Sequence, residues 1–121
     1  MQRLEGKKAV ITGSAQGLGA ALFERLTREG AHVIGWDLQH AAVKETAEKV
    51  AAAAGGKTGA RGIDITDAAA VRAAMDEDAA ELGGLDIIVC NAGILISGDS
   101  VEFDAEKWRK VLDVDLTGYF L

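Results

Sequence analysis

The sequence predicts a doubly wound α/β fold, a parallel sheet with helices on both faces and strand order 3-2-1-4. Three observations lead there. Short apolar runs alternate four times with segments of helical periodicity. The runs are apolar at consecutive positions rather than at every second one, as in strands buried on both faces. Glycines close three of the helical segments, and polar capping residues open the last two. Parallel strands joined by helices need right-handed crossovers, which places strands two and three on one side of strand one and strand four on the other.

The elements follow in order. "KKAVIT" (7–12) is a buried strand that stops at Gly13. Leu18, Ala21, Leu22 and Leu26 space a helix ending at Gly30, and "AHVIGW" (31–36) is the second strand. Val43, Ala47, Val50 and Ala54 mark a second helix, closed by Gly55 and Gly56. "GARGIDI" (59–65) is the third strand. Thr66 or Asp67 caps a third helix bearing Val71, Met75, Ala79 and Leu82. "LDIIVCNAG" (85–93) is the fourth strand, and Asp104 caps the last helix. That helix carries Trp108, Val111, Leu112, Leu116, Tyr119 and Phe120 as an apolar stripe, with Asp115 as a carboxylate upon it.

A chain of 121 residues makes one domain, 1–121, with room for one sizeable core. Its net charge of −6 argues against a general affinity for nucleic acid or acidic membranes. A small anionic ligand stays open, because backbone amides bind phosphate without basic side chains. The single cysteine, Cys90, cannot form an intramolecular disulfide, and there is no zinc spacing, so no metal is expected. The N-terminal segment has no long apolar stretch of a signal peptide or membrane span, and a reduced, cytoplasmic setting is expected.

The chemistry gathers at the strand ends. "TGSAQGLG" (12–19) spaces Gly13, Gly17 and Gly19 as G-x-x-x-G-x-G between a strand and a helix. Glycines there allow a tight turn and let a diphosphate approach the helix start. The second strand ends "GWD", and Asp37 lies about 20 residues beyond the glycines, where a carboxylate accepts from ribose hydroxyls and repels a 2′-phosphate. Its neighbours Trp36, Leu38, Gln39 and His40 include no Arg or Lys, which favours NAD over NADP. Asp64 ends the third strand, and "CNAG" (90–93) the fourth. Ala92 and Gly93 leave space for a ligand, and Asn91 can tie neighbouring loops through its amide. His32 begins a strand and His40 follows one, so neither suits an acid/base role.

"TGSAQGLG", "GWD", "DIT", "CNAG" and "VLDVDLTGYF" resemble, in order and spacing, the N-terminal half of a short-chain dehydrogenase/reductase. The resemblance implies a Rossmann-type fold, a nicotinamide dinucleotide and a small alcohol or carbonyl substrate. It implies that Gly13, Ser14, Gln16, Gly17, Leu18 and Gly19 line the diphosphate and adenosine ribose. Asp37 takes the ribose hydroxyls and Asp64 and Ile65 the adenine edge. Asn91, Ala92, Gly93 and Ile94 border the middle of the cofactor. Asp115 stands where the family places an Asn that relays protons. Cys90 replaces a more usual Asn and is expected as a small buried residue. "ILISGDSVEF" (94–103) is expected to border the active site.

The family's catalytic Tyr-x-x-x-Lys is not found, and Tyr119 is not that tyrosine. The chain thus reads as an apparently truncated enzyme, expected to bind cofactor without turnover. Strand four would be an exposed apolar edge and the last helix would lack a partner, so a homo-oligomer is expected. Two other readings remain: a stand-alone non-catalytic dinucleotide-binding module, and an S-adenosylmethionine-binding domain. The latter is disfavoured because Thr12 stands where an acid is expected and "CNAG" has no counterpart.

Overall fold

The computed structural model describes residues 2–120. Strand β1 is Lys8–Thr12, β2 His32–Asp37, β3 Thr58–Gly62 and β4 Ile87–Val89. They form one parallel sheet in the order β3-β2-β1-β4. Helices α1 (Gly17–Arg28), α2 (His40–Ala54) and α3 (Ala68–Leu82) cross between them. Helix α4 (Ala105–Leu112) runs through a π-helical turn, Asp113–Thr117, into a last helical turn, Gly118–Phe120. This is the expected doubly wound order.

The period of two along the strands sorts the core onto two faces. Ala9, Ile11 and Val33 pack with Phe23, Ala47 and Val50 on one side. Val10, Ile34 and Trp36 pack with Val71, Ala74 and Leu82 on the other. Helix α1 turns differently from its leucine spacing. Gly19, Phe23 and Thr27 are its buried residues, whereas Leu18 is 70 % exposed. Helix α3 buries Asp78 along with Val71, Ala74 and Leu82. Asp67 caps α3 by accepting from the Ala70 amide at 3.0 Å, and Asp104 caps α4 by accepting from Glu106 at 2.9 Å.

Three expectations are corrected. Strand β3 ends at Gly62 rather than 65, because the Asp64 carboxylate folds back onto Thr66. Strand β4 is three residues long. Beyond it the Thr12 hydroxyl, not a neighbouring strand, accepts from the amides of Asn91 and Ala92, each at 3.0 Å. The stripe on the last helix is not buried: Trp108, Leu116, Tyr119 and Phe120 are exposed, and Val111, Val114 and Gly118 form its more buried face. A Cβ on Gly118 would lie 2.8 Å from the Ile65 side chain, so glycine permits this close approach. No helix among the described residues is long and apolar enough to cross a membrane.

A buried carboxylate ties the N-terminal segment to α1. Glu29 accepts from the Arg3 guanidinium and backbone amide and from Arg25. The Arg3 side-chain bonds come first among the causes that take Glu29 from 4.5 down to about 2. A carboxylate with a depressed folded-state pKa stabilises above its unfolded value, and that stability disappears as pH falls towards the folded value. Stability supplied by Glu29 is therefore lost between about pH 5 and pH 2. Glu29→Gln is expected to lower the melting temperature at pH 7 and to flatten its fall over that interval. Circular dichroism melts across the pH range check this, and identical slopes for the two proteins would disprove it.

Candidate functional site

The C-terminal ends of the strands open into a cleft of about 820 Å³. Parallel strands place their carboxyl ends together, and the order reverses on either side of β1, so a crevice forms there. The glycine loop makes its floor. Gly13 has a φ of +66°, and a Cβ there would sit 2.7 Å from the Ala92 Cα. Gly17 also has a positive φ, +60°, but a Cβ on it would meet open space. Helix α1 begins after Gln16, whose side chain makes no capping bond. Its first amides are thus free to bind an anion in the cleft.

Hydrogen bonds lock the loop to its neighbours. The Asn91 amide nitrogen donates to the Gly13 carbonyl at 3.1 Å, as its loop-tying reading expects. The Thr46 hydroxyl donates to the Ala15 carbonyl at 2.7 Å. Asp37 accepts from the Ala15 amide at 3.1 Å with one oxygen and from Gln39 at 3.0 Å with the other. Asp37 is part-buried and borders the cleft. Across from it, Asp64 accepts from the Thr66 amide and hydroxyl at 2.9 and 2.7 Å. Those bonds, the hydroxyl's first, hold its carboxyl below the usual range, with the Lys110 charge assisting.

Ten of the thirteen residues assigned to a cofactor from sequence line this one cleft. They are Gly13, Gln16 and Gly17 of the loop, Asp37, the pair Asp64 and Ile65, and the run Asn91–Ile94. The other three do not reach its wall. Ser14 is fully buried and donates through its amide and hydroxyl to the Trp36 carbonyl. Leu18 points to solvent, and Gly19 is buried where a Cβ would overlap the Gly13 carbonyl. Helix α4 and the π-helical turn after it supply a wall that sequence reasoning missed, with Glu106, Arg109 and Lys110 from the helix and Asp113 from the turn. The signal was available: five charged residues, Glu106, Lys107, Arg109, Lys110 and Asp113, follow the Asp104 cap.

Asp115 lies outside the cleft lining and is exposed. Its Oδ1 accepts from the Ile94 amide at 2.8 Å, which fixes the segment after β4. The Tyr119 hydroxyl donates to the Ala92 carbonyl in the same place. Burial first, then the Asp115 and Cys90 charges, push the Tyr119 phenol up. Cys90 is exposed, contrary to the expected burial, because β4 ends at Val89 and is the edge of the described sheet. His32 sits at the opposite end of β2 from the cleft, and burial and nearby lysines lower its pKa. His40 does not line the cleft.

Residues 7–121 match the short chain dehydrogenase family. The chain is 42 % identical over 122 residues to D-threitol dehydrogenase of Mycolicibacterium smegmatis, covering 98 % of this chain and 45 % of that protein. It is 38 % identical over 121 residues to 2-dehydro-3-deoxy-L-rhamnonate dehydrogenase (NAD(+)) of Sphingomonas sp., covering 98 % and 46 %. A crystal structure of a short chain dehydrogenase from Mycobacterium smegmatis superposes with a TM-score of 0.94 at 31 % identity, over 99 % of this chain and 50 % of that one. The chain thus spans about half the length of the relatives it matches. With its sheet order, glycine loop and strand-end acids, this chain belongs to the short-chain dehydrogenase family.

Proposed function

We propose that this chain is the dinucleotide-binding half of an NAD-dependent oxidoreductase that interconverts a small alcohol and a carbonyl. The observation that carries the cofactor reading is Asp37, which borders the cleft beside the uncapped start of α1 and is bonded to Ala15 just before it. The residues fit such a ligand. Gly17 leaves open space where any side chain would enter, and α1 offers unpaired amides for a diphosphate. Asp37 takes part in none of the ion pairs among the described residues, so its charge is not offset by a bonded cation. It favours a ribose with free hydroxyls and disfavours a 2′-phosphate. Asp64 and Ile65 border the adenine end, and Asn91 to Ile94 the middle of the ligand.

A nicotinamide dinucleotide held in this cleft would supply the hydride-transfer chemistry. The chain's own residues orient it: Asn91 and Thr12 hold the strand ends, and Asp115 holds Ile94. Asp115 occupies the relay position through its other oxygen, which has no hydrogen-bond partner among the described residues. Tyr119 does not serve as the proton donor. Its phenol is pushed up rather than down, and its hydroxyl is committed to Ala92. The exposed stripe of Trp108, Leu116 and Phe120 supports a homo-oligomer, and the free Cys90 suits a cytoplasmic setting.

A fluorescence titration tests the cofactor assignment. NADH is expected to bind about tenfold or more tightly than NADPH, the difference expected for hydrogen bonds to a charged group. S-adenosylmethionine is expected not to compete. Equal affinity for the two dinucleotides would remove Asp37 from its role, and displacement by S-adenosylmethionine would favour the other ligand class.

A further inference from the structure

The inner side of the cleft rests on a buried polar network that the cofactor reading does not use. Trp36 and Asp78 are each 1 % exposed. The Trp36 indole nitrogen donates to Asp78 Oδ2 at 2.6 Å. Arg61 donates to Asp78 Oδ1 from Nη2 at 2.5 Å and from Nε at 3.2 Å, and its Nη1 pairs with Glu77 at 2.9 Å. Trp36 stands between Thr12 of β1 and Arg61 of β3 in the sheet register. One carboxylate on α3 therefore holds two neighbouring strands just before they reach the cleft.

Both strands deliver an acid to the cleft immediately afterwards. Asp37 follows Trp36, and Asp64 follows Arg61 by three residues. The Trp36 carbonyl also accepts from the Ser14 amide and hydroxyl, at 3.3 and 3.4 Å. The glycine loop hangs from Trp36 on one side and from Asp37, through Ala15, on the other. Stability alone is a weak reason for such a network, since buried ion pairs replaced by apolar groups of similar volume often leave stability equal or higher. Its geometry has a different use, because it sets where the strand ends stop.

We infer that Asp78 is a positioning residue for the cleft: by anchoring the Trp36 indole and Arg61 it fixes Asp37 and the glycine loop where they hold the dinucleotide. This rests on the cofactor reading of the cleft, but its first consequence needs no ligand. The amides of Ala15 and Gln39, both held by Asp37, depend on Trp36 staying in place.

The test compares Trp36→Phe, Asp78→Asn and the double substitution Trp36→Phe/Asp78→Leu with the unmodified protein. Trp108→Phe, on an exposed helix face, is the control. Trp36→Phe removes one donor and leaves Asp78 paired with Arg61. The double substitution removes both buried partners together, while Arg61 keeps Glu77. Amide exchange at Ala15 and Gln39 is expected to quicken in all three, while the β-strand amides of Ile11 and Val33 stay protected. The NADH dissociation constant is expected to rise about tenfold. The double variant is expected not to regain affinity. Unchanged exchange at Ala15 and Gln39 overturns the inference, as does affinity that returns together with stability in the double variant. A lack of NADH binding by the unmodified protein would refute the cofactor reading instead, and exchange at the two amides alone would then decide on Asp78.

Discussion

Gly17→Val is expected to abolish dinucleotide binding in a protein that still folds. A Cβ at Gly17 meets no atom within 4 Å, so the new side chain enters the cleft rather than the core. The cost to the fold is the backbone: a φ of +60° is unfavourable for a β-branched residue, by about 1–3 kcal/mol. Binding suffers far more, because the isopropyl group occupies the space over the first amides of α1. Gly19→Val, two residues on, is expected to damage the fold itself. Its Cβ would overlap the Gly13 carbonyl and lie 2.6 Å from the Asn91 amide nitrogen. Neither can retreat, since Asn91 is bonded both to the Gly13 carbonyl and to the Thr12 hydroxyl at the end of β1. Overpacking of that kind costs about 1–3 kcal/mol or more in folding stability. Thermal melts paired with NADH titration separate the two variants. Full NADH affinity in Gly17→Val would reduce the loop to a strand-to-helix turn with no ligand above it.

The contrast also shows what sequence could reveal. Glycine spacing located the turn, and the topology that brings Gly13, Asp37, Asp64 and Ala92 to one cleft followed from alternation of strand and helix. Which glycine faces the open cleft and which faces the chain depends on a Cβ direction that spacing does not contain. The missed features share a cause. Strand β4 is short because a side-chain hydroxyl, Thr12, replaces a backbone partner, and such substitutions leave no periodic trace. Asp78 occupies an apolar position of α3, yet its partners lie on two other elements, so nothing local announces it. The last helix misled for a different reason. Its apolar stripe has the right period for burial, but period gives the face and not what covers it. Among the described residues that stripe has no cover, and the π-helical turn directs Val114 and Gly118 inward instead.

Asp37→Ala is expected to narrow the difference between NADH and NADPH by about 1–3 kcal/mol, the range for hydrogen bonds to a charged group. Two effects add. NADH loses an acceptor for its ribose hydroxyls, and NADPH loses a negative charge that faces its 2′-phosphate. A third effect must be separated from these. Asp37 also accepts from the Ala15 and Gln39 amides, so removing it loosens the loop that both cofactors share. That loss weakens both ligands alike and leaves their ratio unchanged. Asp37→Asn distinguishes the contributions, because it keeps one acceptor oxygen for the loop while removing the charge. If charge sets the preference, Asn and Ala narrow the ratio alike, and Asn loses less absolute affinity for NADH. The charge component also carries a salt signature. Repulsion between an incompletely buried carboxylate and a phosphate is screened as ionic strength rises, whereas the ribose hydrogen bonds are not. The unmodified protein is thus expected to discriminate less at 1 M salt than at 0.05 M, and Asp37→Asn to show no such trend. A ratio unmoved by either substitution would place the preference elsewhere in the cleft, with Arg109 and Lys110 on the α4 wall as the cationic lining residues to examine.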